Sequence, residues 1–243
     1  MKSIRLDQLL VQRGLAESRE KAQRLILAGK VRVDGHAAAK PGHTVTADVQ
    51  VAVEQPERFV SRGGEKLEAA FAHWTLDVSG ETCLDIGAST GGFTDCLLQH
   101  GARLVYAVDV GHGQLHERLR TDPRVRAMDR VNARQLDASL FDPPPSFATI
   151  DASFISLTLL LPAVTQVLTE RARLVTLIKP QFEAGRADVG RGGVVRDPEV
   201  HQRVVDEVRA AGASHGWQWV GVIESPLRGP AGNVEFLAYW TRP

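Results

Sequence analysis

The chain has 243 residues, with 29 Lys and Arg against 29 Asp and Glu, 43% hydrophobic and 24% charged. That mixture belongs to a folded globular protein of one large domain or two smaller ones, and it excludes global disorder. No apolar run of about 18 residues exists, so no membrane span is expected. The start, Met1-Lys2-Ser3-Ile4-Arg5-Leu6-Asp7, has no apolar stretch and predicts no secretory signal. Two cysteines, Cys83 and Cys96, are too few for a disulfide framework and point to a reducing cytoplasm.

The zero balance is an average. Residues 1–40 hold nine Lys and Arg against four Asp and Glu, and the remainder is acidic by the same margin. A basic head on an acidic body predicts a polyanion-binding module attached to something else. Within the head, Arg5 to Gln12 carries Leu6, Leu9 and Leu10 at helical spacing, ended by Gly14. Ser18 caps a second predicted helix with Ala22, Leu25 and Ile26 on its inner face, stopped by Gly29. Val31-Arg32-Val33 reads as a strand and Asp34-Gly35 as a tight turn. Arg5, Arg13, Arg19, Lys21, Arg24, Lys30 and Arg32 rim these elements, which suits phosphate contacts on folded RNA better than base reading.

The run Arg5-Leu6-Asp7, Ser18-Arg19, Ala22, Gly29, Val31 and Val33-Asp34-Gly35 resembles the αL RNA-binding fold shared by a small-subunit ribosomal protein and many pseudouridine synthases. That places a small α+β RNA-binding domain over residues 1–60, closed by a connector with Pro41-Gly42 and Pro56. A second domain is expected over residues 61–243, opening on Val60-Ser61-Arg62-Gly63-Gly64-Glu65-Lys66-Leu67.

From Thr82 onward, short apolar runs alternate with helical ones. Cys83–Ile86, Leu104–Asp109, Phe147–Ile150 and Leu174–Lys179 read as buried strands, and Phe93–His100 as a helix. The pattern predicts an α/β fold with a doubly wound, mostly parallel sheet. Asp85-Ile86-Gly87-Ala88-Ser89-Thr90-Gly91-Gly92-Phe93 follows the first strand and opens a helix, where backbone N–H groups allow close ligand approach. Asp109 ends the next strand, where a carboxylate can hold ribose hydroxyls. An acidic residue two before the first glycine resembles motif I of S-adenosylmethionine-dependent methyltransferases, in a Rossmann-like fold. By that resemblance Asp85 lies close to the methionine portion of the cofactor, and Met128-Asp129-Arg130 lies near the adenine.

Two other readings compete here. Gly87-Ala88-Ser89-Thr90-Gly91 also matches the hydrolase G-x-S-x-G elbow, with Ser89 as nucleophile and His201 or His215 as base. That elbow belongs late in a sheet, whereas Ser89 follows the first strand. Asp142-Pro143-Pro144-Pro145 resembles the D-P-P-aromatic box of amino-group methyltransferases, but its fourth residue is not aromatic and it precedes a strand, so it is read as a stiff loop.

Past residue 40, 18 of the 20 basic residues are Arg, and the exceptions are Lys66 and Lys179. Only Lys can give up its proton when buried, which singles out both. Lys179 ends a strand, Asp151 ends another, and Glu235 lies in the apolar segment Val234–Leu237. Carboxylates at such positions are costly unless paired. Together Lys66, Asp151, Lys179 and Glu235 resemble the K-D-K-E tetrad of FtsJ-type ribose 2′-O-methyltransferases. Ile150-Asp151-Ala152-Ser153-Phe154-Ile155-Ser156, Leu177-Ile178-Lys179-Pro180-Gln181-Phe182-Glu183 and Gly232-Asn233-Val234-Glu235-Phe236 extend the likeness. With the head they resemble the TlyA family, whose members methylate ribosomal RNA on ribose and are often labelled haemolysins.

The resemblance implies transfer of the methyl group of S-adenosylmethionine to a ribose 2′-hydroxyl, the substrate being cytidine in ribosomal RNA within a ribosomal subunit. It makes Lys179 the base, with burial and the neighbouring Lys66 favouring its neutral amine, and Asp151 and Glu235 positioning the lysines. No metal is expected, because the donor already carries the positive charge and no His/Cys cluster has ligand spacing. Gly87, Ser89, Thr90, Gly91, Gly92, Phe93, Asp109 and Asp129 join Asp85 as expected cofactor contacts. Arg186 and Arg191, in the glycine-rich run 185–193, are placed on RNA phosphates. A cytoplasmic monomer without membrane contact is expected. The competing classes are a membrane-acting haemolysin and a ribosome-binding factor without catalysis.

Overall fold

The computed structural model describes residues 3–38, 40–54 and 57–243, so Pro56 of the connector lies outside the described residues. The chain divides into two compact units, Met1–Glu57 and Arg58–Pro243.

The first unit runs β1 (Ser3–Arg5), α1 (Leu6–Gln12), α2 (Arg19–Leu27), β2 (Val31–Val33), β3 (His36–Ala37), β4 (Thr44–Thr46) and β5 (Val51–Val53). Arg5 belongs to β1 rather than to the first helix, which starts at Leu6. The Ser18 side chain accepts the Lys21 N–H, capping α2 as expected. Asp34 and Gly35 both take positive φ, the geometry of a two-residue hairpin turn, and join β2 to β3. Strands β1 and β4 pair antiparallel, and β2 lies between β3 and β5 in a separate antiparallel sheet. Leu6, Leu9, Leu10, Ala22, Ile26, Val31 and Val45 form the core, with Leu25 only half-buried beside it.

One carboxylate organises this unit. Asp7 is fully buried, and the Arg5 guanidinium forks onto it at 2.8 and 3.1 Å. Gln23 donates to the same carboxylate at 2.9 Å and Arg19 at 3.3 Å. The Arg5 bonds, reinforced by Gln23 and Arg19, hold the Asp7 carboxyl well below its ordinary range despite burial.

The second unit is built on α3 (Gly63–Trp74), β6 (Thr82–Ile86), α4 (Gly92–Gln99), β7 (Leu104–Asp109), α5 (Glu117–Arg120) and β8 (Val125–Asp129). It continues with β9 (Phe147–Ile150), α6 (Leu157–Val167), β10 (Arg173–Ile178), α7 (Pro180–Glu183), α8 (Pro198–Ser214), β11 (Gln218–Glu224) and β12 (Phe236–Thr241). The strands form one seven-stranded sheet in the order β8-β7-β6-β9-β10-β12-β11. The first five are mutually parallel, and β12 alone runs against them, pairing antiparallel with β10 on one side and with β11 on the other. This is the mostly parallel α/β sheet expected from the alternation of apolar runs.

Side-chain alternation along the strands divides the core. Leu84, Val108, Ile150, Ile178 and Trp240 point to the face covered by α6 and α8, whereas Cys83, Val105, Phe147, Val175 and Tyr239 meet α3 and α4. Asp142–Pro145 is a loop between β8 and β9, bonded through its Pro143 carbonyl to the Tyr106 hydroxyl. Among the described residues no helix is long and apolar enough to cross a membrane.

The depressed Asp7 carboxyl contributes stability that is present at neutral pH and lost as pH falls below the ordinary carboxylate range. Asp7→Asn in the full chain should therefore speed amide exchange in α1 and α2 at pH 7. Peptides from the second unit should keep their protection, as hydrogen-exchange mass spectrometry can read.

Candidate active site

The strand order reverses between β6 and β9, and this is where parallel α/β sheets open a crevice beyond their carboxyl ends. Gly87 leaves β6 at φ +81°, and a Cβ there would stand 2.5 Å from the Asp151 carbonyl. Only glycine lets the two strand ends come this close. A second close approach sets α3 against α4: a Cβ on Gly92 would overlap the Gly64 amide at 2.7 Å. That packing brings the first turn of α3, and with it Lys66, to the same end of the sheet.

Two clefts open there. The larger, of 580 Å³, runs along the ends of β6, β7 and β9 and is walled by Val108, Val110, Val131, Ala133, Ile155 and Leu160. The smaller, of 320 Å³, holds Lys66, Lys179 and Glu235, with Arg62 and Arg228 at its edge. Gly87, Ser89, Asp151 and Ser153 line both, so the clefts meet at these four residues.

The four charged residues are brought together as two pairs. Lys66 Nζ lies 2.5 Å from Glu235 Oε2, and Glu235 is only 2% exposed just ahead of β12. Lys179, 7% exposed after the end of β10, has Nζ 2.6 Å from Asp151 Oδ1. Lys179 also donates a hydrogen bond to Ser153 Oγ at 2.9 Å. Asp151 is placed by the end of β9, its N–H bonded to the Ile86 carbonyl. Pro180 starts α7 immediately after Lys179, ending the strand where the lysine emerges.

The glycine-turn residues separate by location. Gly87 and Ser89 line both clefts, and Thr90, Gly92 and Phe93 line only the smaller one. Gly91 lines neither; its α-carbon faces Leu119, which a Cβ would meet at 2.2 Å. Asp109 lines the larger cleft, its two oxygens accepting the Ser89 and Gly111 N–H groups at 2.8 and 2.7 Å. The remaining lone pairs of that carboxylate are free to meet a ligand hydroxyl.

Besides Gly91, two expected contacts lie off both clefts. Asp85 points away from the clefts into the layer between β6 and α4, fully buried, accepting from Thr94 Oγ1 at 2.6 Å and Thr149 Oγ1 at 3.0 Å. Its place on the strand explains this: Leu84 and Ile86 face α6, so Asp85 faces α4. Asp129 ties down the 111–113 loop by accepting from Gly113 N and Arg120, and the residues that reach the larger cleft are Val131–Arg134 just beyond it. The serine-hydrolase constellation is not assembled, since no histidine bonds Ser89 among the described residues and His201 bonds the Val195 carbonyl instead.

The clefts are also lined by Val110, Gln114, Ser153, Phe154, Arg62 and Arg228, to which the sequence reading assigns no role. Phe154, 90% exposed, was detectable only as an aromatic after the Asp151 strand; it adopts φ +64° and its ring lies 5.0 Å from that of Phe182. Outside the clefts, Glu68, Cys96 and His100 bring three potential metal-ligand atoms within 4.8 Å, but the Glu68 carboxylate there already bonds Arg58 and His100.

The expected RNA contacts divide as well. Arg5 and Arg19 are engaged by Asp7, Arg13 donates to the Ala47 and Val49 carbonyls at 2.7 Å each, and Lys30 and Arg32 pair with Glu54. Lys21 and Arg24 are exposed and make no ion pair among the described residues. Arg186 and Arg191 are exposed on the glycine-rich loop, which Asn233 anchors by donating to the Gly193 carbonyl and accepting the Val195 N–H, each at 2.9 Å.

A model of the FtsJ-like methyltransferase family matches residues 59–242, and the S4 domain model matches residues 4–51. The chain is 48% identical over 240 residues to the 16S/23S rRNA (cytidine-2′-O)-methyltransferase TlyA of Mycobacterium tuberculosis, covering 98% of this chain and 89% of that protein. It is 44% identical over 238 residues to Hemolysin A of Brachyspira hyodysenteriae, covering 98% and 99%. A solved structure of a protein designated a hemolysin, from Streptococcus thermophilus, is 45% identical with a TM-score of 0.76, covering 100% of this chain and 89% of that one.

Burial in the α4 layer, partly offset by the two threonine bonds, pushes the Asp85 carboxyl up to about 6 from 3.8. Between those values the folded protein holds a proton that the unfolded chain has lost, so this stabilisation is full below 3.8 and gone above about 6. Asp85→Asn, neutral throughout, should gain on the wild type by about 3 kcal/mol between pH 4 and pH 8. All four tryptophans lie in the second unit, so urea unfolding followed by their fluorescence measures the difference; a gain independent of pH would overturn it.

Proposed function

This chain belongs to the FtsJ-like methyltransferase family, with an S4 domain preceding the catalytic one, and we propose that it transfers the methyl group of S-adenosylmethionine to a ribose 2′-hydroxyl, that of a cytidine in ribosomal RNA within a ribosomal subunit. The observation that carries this reading is the smaller cleft, which holds the Lys179–Asp151 and Lys66–Glu235 pairs and meets the larger one at Asp151 and Ser153. The full-length likeness to a protein named for cytidine 2′-O-methylation supports the choice of acceptor.

The larger cleft suits S-adenosylmethionine in size and chemistry: its volume is that of small-molecule sites, its apolar walls match an adenine, and Asp109 offers acceptors for ribose hydroxyls. Gly87 and Ser89 would hold the methionine end at the junction. When bound, the cofactor supplies an activated methyl on a sulfonium sulfur. The chain's own residues act on the acceptor. A hydroxyl is a poor nucleophile at neutral pH, and Lys179 Nζ, at the junction, is placed to take its proton. Asp151 holds Lys179, and Glu235 holds Lys66 at the wall of the smaller cleft, where its ammonium favours negative charge developing on the ribose oxygen. The nearly complete burial of Lys179 and Glu235 removes competing water.

The S4 domain supplies the grip. Lys21 and Arg24 present cations for phosphates without internal partners, and Arg186, Arg191, Arg62 and Arg228 add charge around the catalytic unit. A target nucleotide within folded RNA has to be unstacked to enter the smaller cleft, and these contacts offset that cost.

Incubation with methyl-labelled S-adenosylmethionine and unmethylated ribosomal subunits should yield 2′-O-methylcytidine on nucleoside digestion; label on a base or on protein would overturn the reading. Lys179→Ala should lose transfer by on the order of 10²–10⁴-fold while binding of the cofactor, read by calorimetry, is nearly unchanged. Replacing Lys21 and Arg24 together by Gln should weaken RNA binding and flatten the slope of log affinity against log salt by about two.

A further inference from the structure

We propose that Ser153 is a positioning residue for methyl transfer, its hydroxyl fixing the direction in which Lys179 Nζ meets the acceptor. The inference rests on the reading of Lys179 as the proton acceptor. Lys179 approaches two groups. Its contact with Asp151 Oδ1 is short, at 2.6 Å, yet that oxygen has no aligned hydrogen-bond donor. The bond to Ser153 Oγ at 2.9 Å is the one properly directed hydrogen bond of Lys179 Nζ among the described residues. The carboxylate therefore holds the lysine by charge, and the hydroxyl sets its orientation.

The local chain explains why Ser153 can do this. Asp151, Ala152 and Ser153 leave β9 as irregular chain, and the side chains at positions 151 and 153 both reach Nζ. The next residue, Phe154, turns the chain at φ +64°, a left-handed conformation unusual for a bulky side chain. Ser153 lines both clefts, which puts its hydroxyl where the methyl donor and the acceptor are to meet.

A neutral lysine amine has two N–H bonds and one lone pair in tetrahedral directions. With one N–H directed onto Ser153 and the other drawn to Asp151, the lone pair is left for the 2′-hydroxyl entering from the smaller cleft. In the step itself the hydroxyl proton passes to that lone pair and the ribose oxygen bonds the methyl carbon. The electron pair of the broken methyl–sulfur bond stays on sulfur, and the lysine ammonium releases its proton to water between turnovers. Without Ser153 the amine rotates, and misdirection of a reacting group is costly even when binding is intact.

The test compares wild type, Ser153→Ala and Ser153→Thr as full chains, with kcat, KM for both substrates and the pH dependence of kcat measured on ribosomal subunits. Ser153→Ala should lower kcat by about 10- to 100-fold with both KM values within about twofold, and Ser153→Thr should restore most of the loss. Because a hydroxyl that accepts from an ammonium favours the charged form, its removal should also move the acidic limb of the kcat profile to lower pH. A structural defect would leave that limb in place. Wild-type kcat and an unmoved limb in Ser153→Ala would overturn the assignment, as would a loss seen only in KM. If the wild type itself places no methyl on ribose, the underlying reading of the reaction fails and this assignment falls with it, an outcome distinct from an active wild type with an indifferent Ser153.

Discussion

Withdrawing a lysine ammonium and a carboxylate from water costs several kcal/mol per ion unless each meets an opposite charge. The carboxyl end of the sheet carries two such pairs side by side, and the architecture of the second unit follows from the need to complete them. The partners come from distant parts of the chain: Lys66 from α3 with Glu235 ahead of β12, Asp151 from β9 with Lys179 from β10. If any of these elements shifts, a nearly buried charge is left alone. The antiparallel strand β12, inserted between β10 and β11, is what brings Glu235 to the same end as the parallel strand termini. Buried pairs of this kind add little net stability. Their value is geometric, since they fix two ammonium groups in a low-dielectric recess without letting either drift.

The second constraint is steric. The clefts join because β6 and β9 approach so closely at Gly87 that no side chain fits between that residue and the Asp151 backbone. The residue that lets the larger cleft reach the strand ends is thus in contact with the residue that holds Lys179. In the proposed reaction, binding geometry and proton-transfer geometry share one backbone contact. The packing of Gly92 on Gly64 repeats the device for α3 and α4, and it sets how far Lys66 extends into the smaller cleft.

Much of this was legible in the sequence, for identifiable reasons. Strand ends are visible where an apolar run stops, so Asp109, Asp151 and Lys179 could be placed at the carboxyl edge without knowledge of the strand order. The near-absence of lysine past residue 40 singled out both ammonium groups before any contact was known. Asp85 lies off the clefts because a motif gives proximity in sequence, whereas the two-residue period of the strand decides which face a side chain takes, and that face is α4. Asp129 was displaced because its carboxylate is consumed by backbone and arginine donors of its own loop. Ser153 and Arg62 stand inside the motifs that carry the resemblance but have no role assigned by it, and Arg228 carries no local signal. Exposed polar residues in irregular segments look alike until the fold sets one of them beside a buried lysine.

The head shows why counting charges overstates what is free to bind. Of its cations, Arg5 and Arg19 are committed to Asp7, Arg13 to two carbonyls, and Lys30 and Arg32 to Glu54. Commitment does not remove a guanidinium from use, however. Arg5 and Arg19 remain about half-exposed while one face of each is fixed by the buried carboxylate. A flexible arginine loses rotamer freedom when it meets a phosphate, and one already held by Asp7 has lost part of that freedom on folding. Asp7 therefore links the two levels of the unit. The interaction that closes its core also pre-orients the nearest cations, while Lys21 and Arg24 stand exposed without an ion pair among the described residues. A surface of this composition holds a polyanion by position at some sites and by counterion release at others. Under the proposed function, that division would let a small domain grip folded RNA through its phosphates.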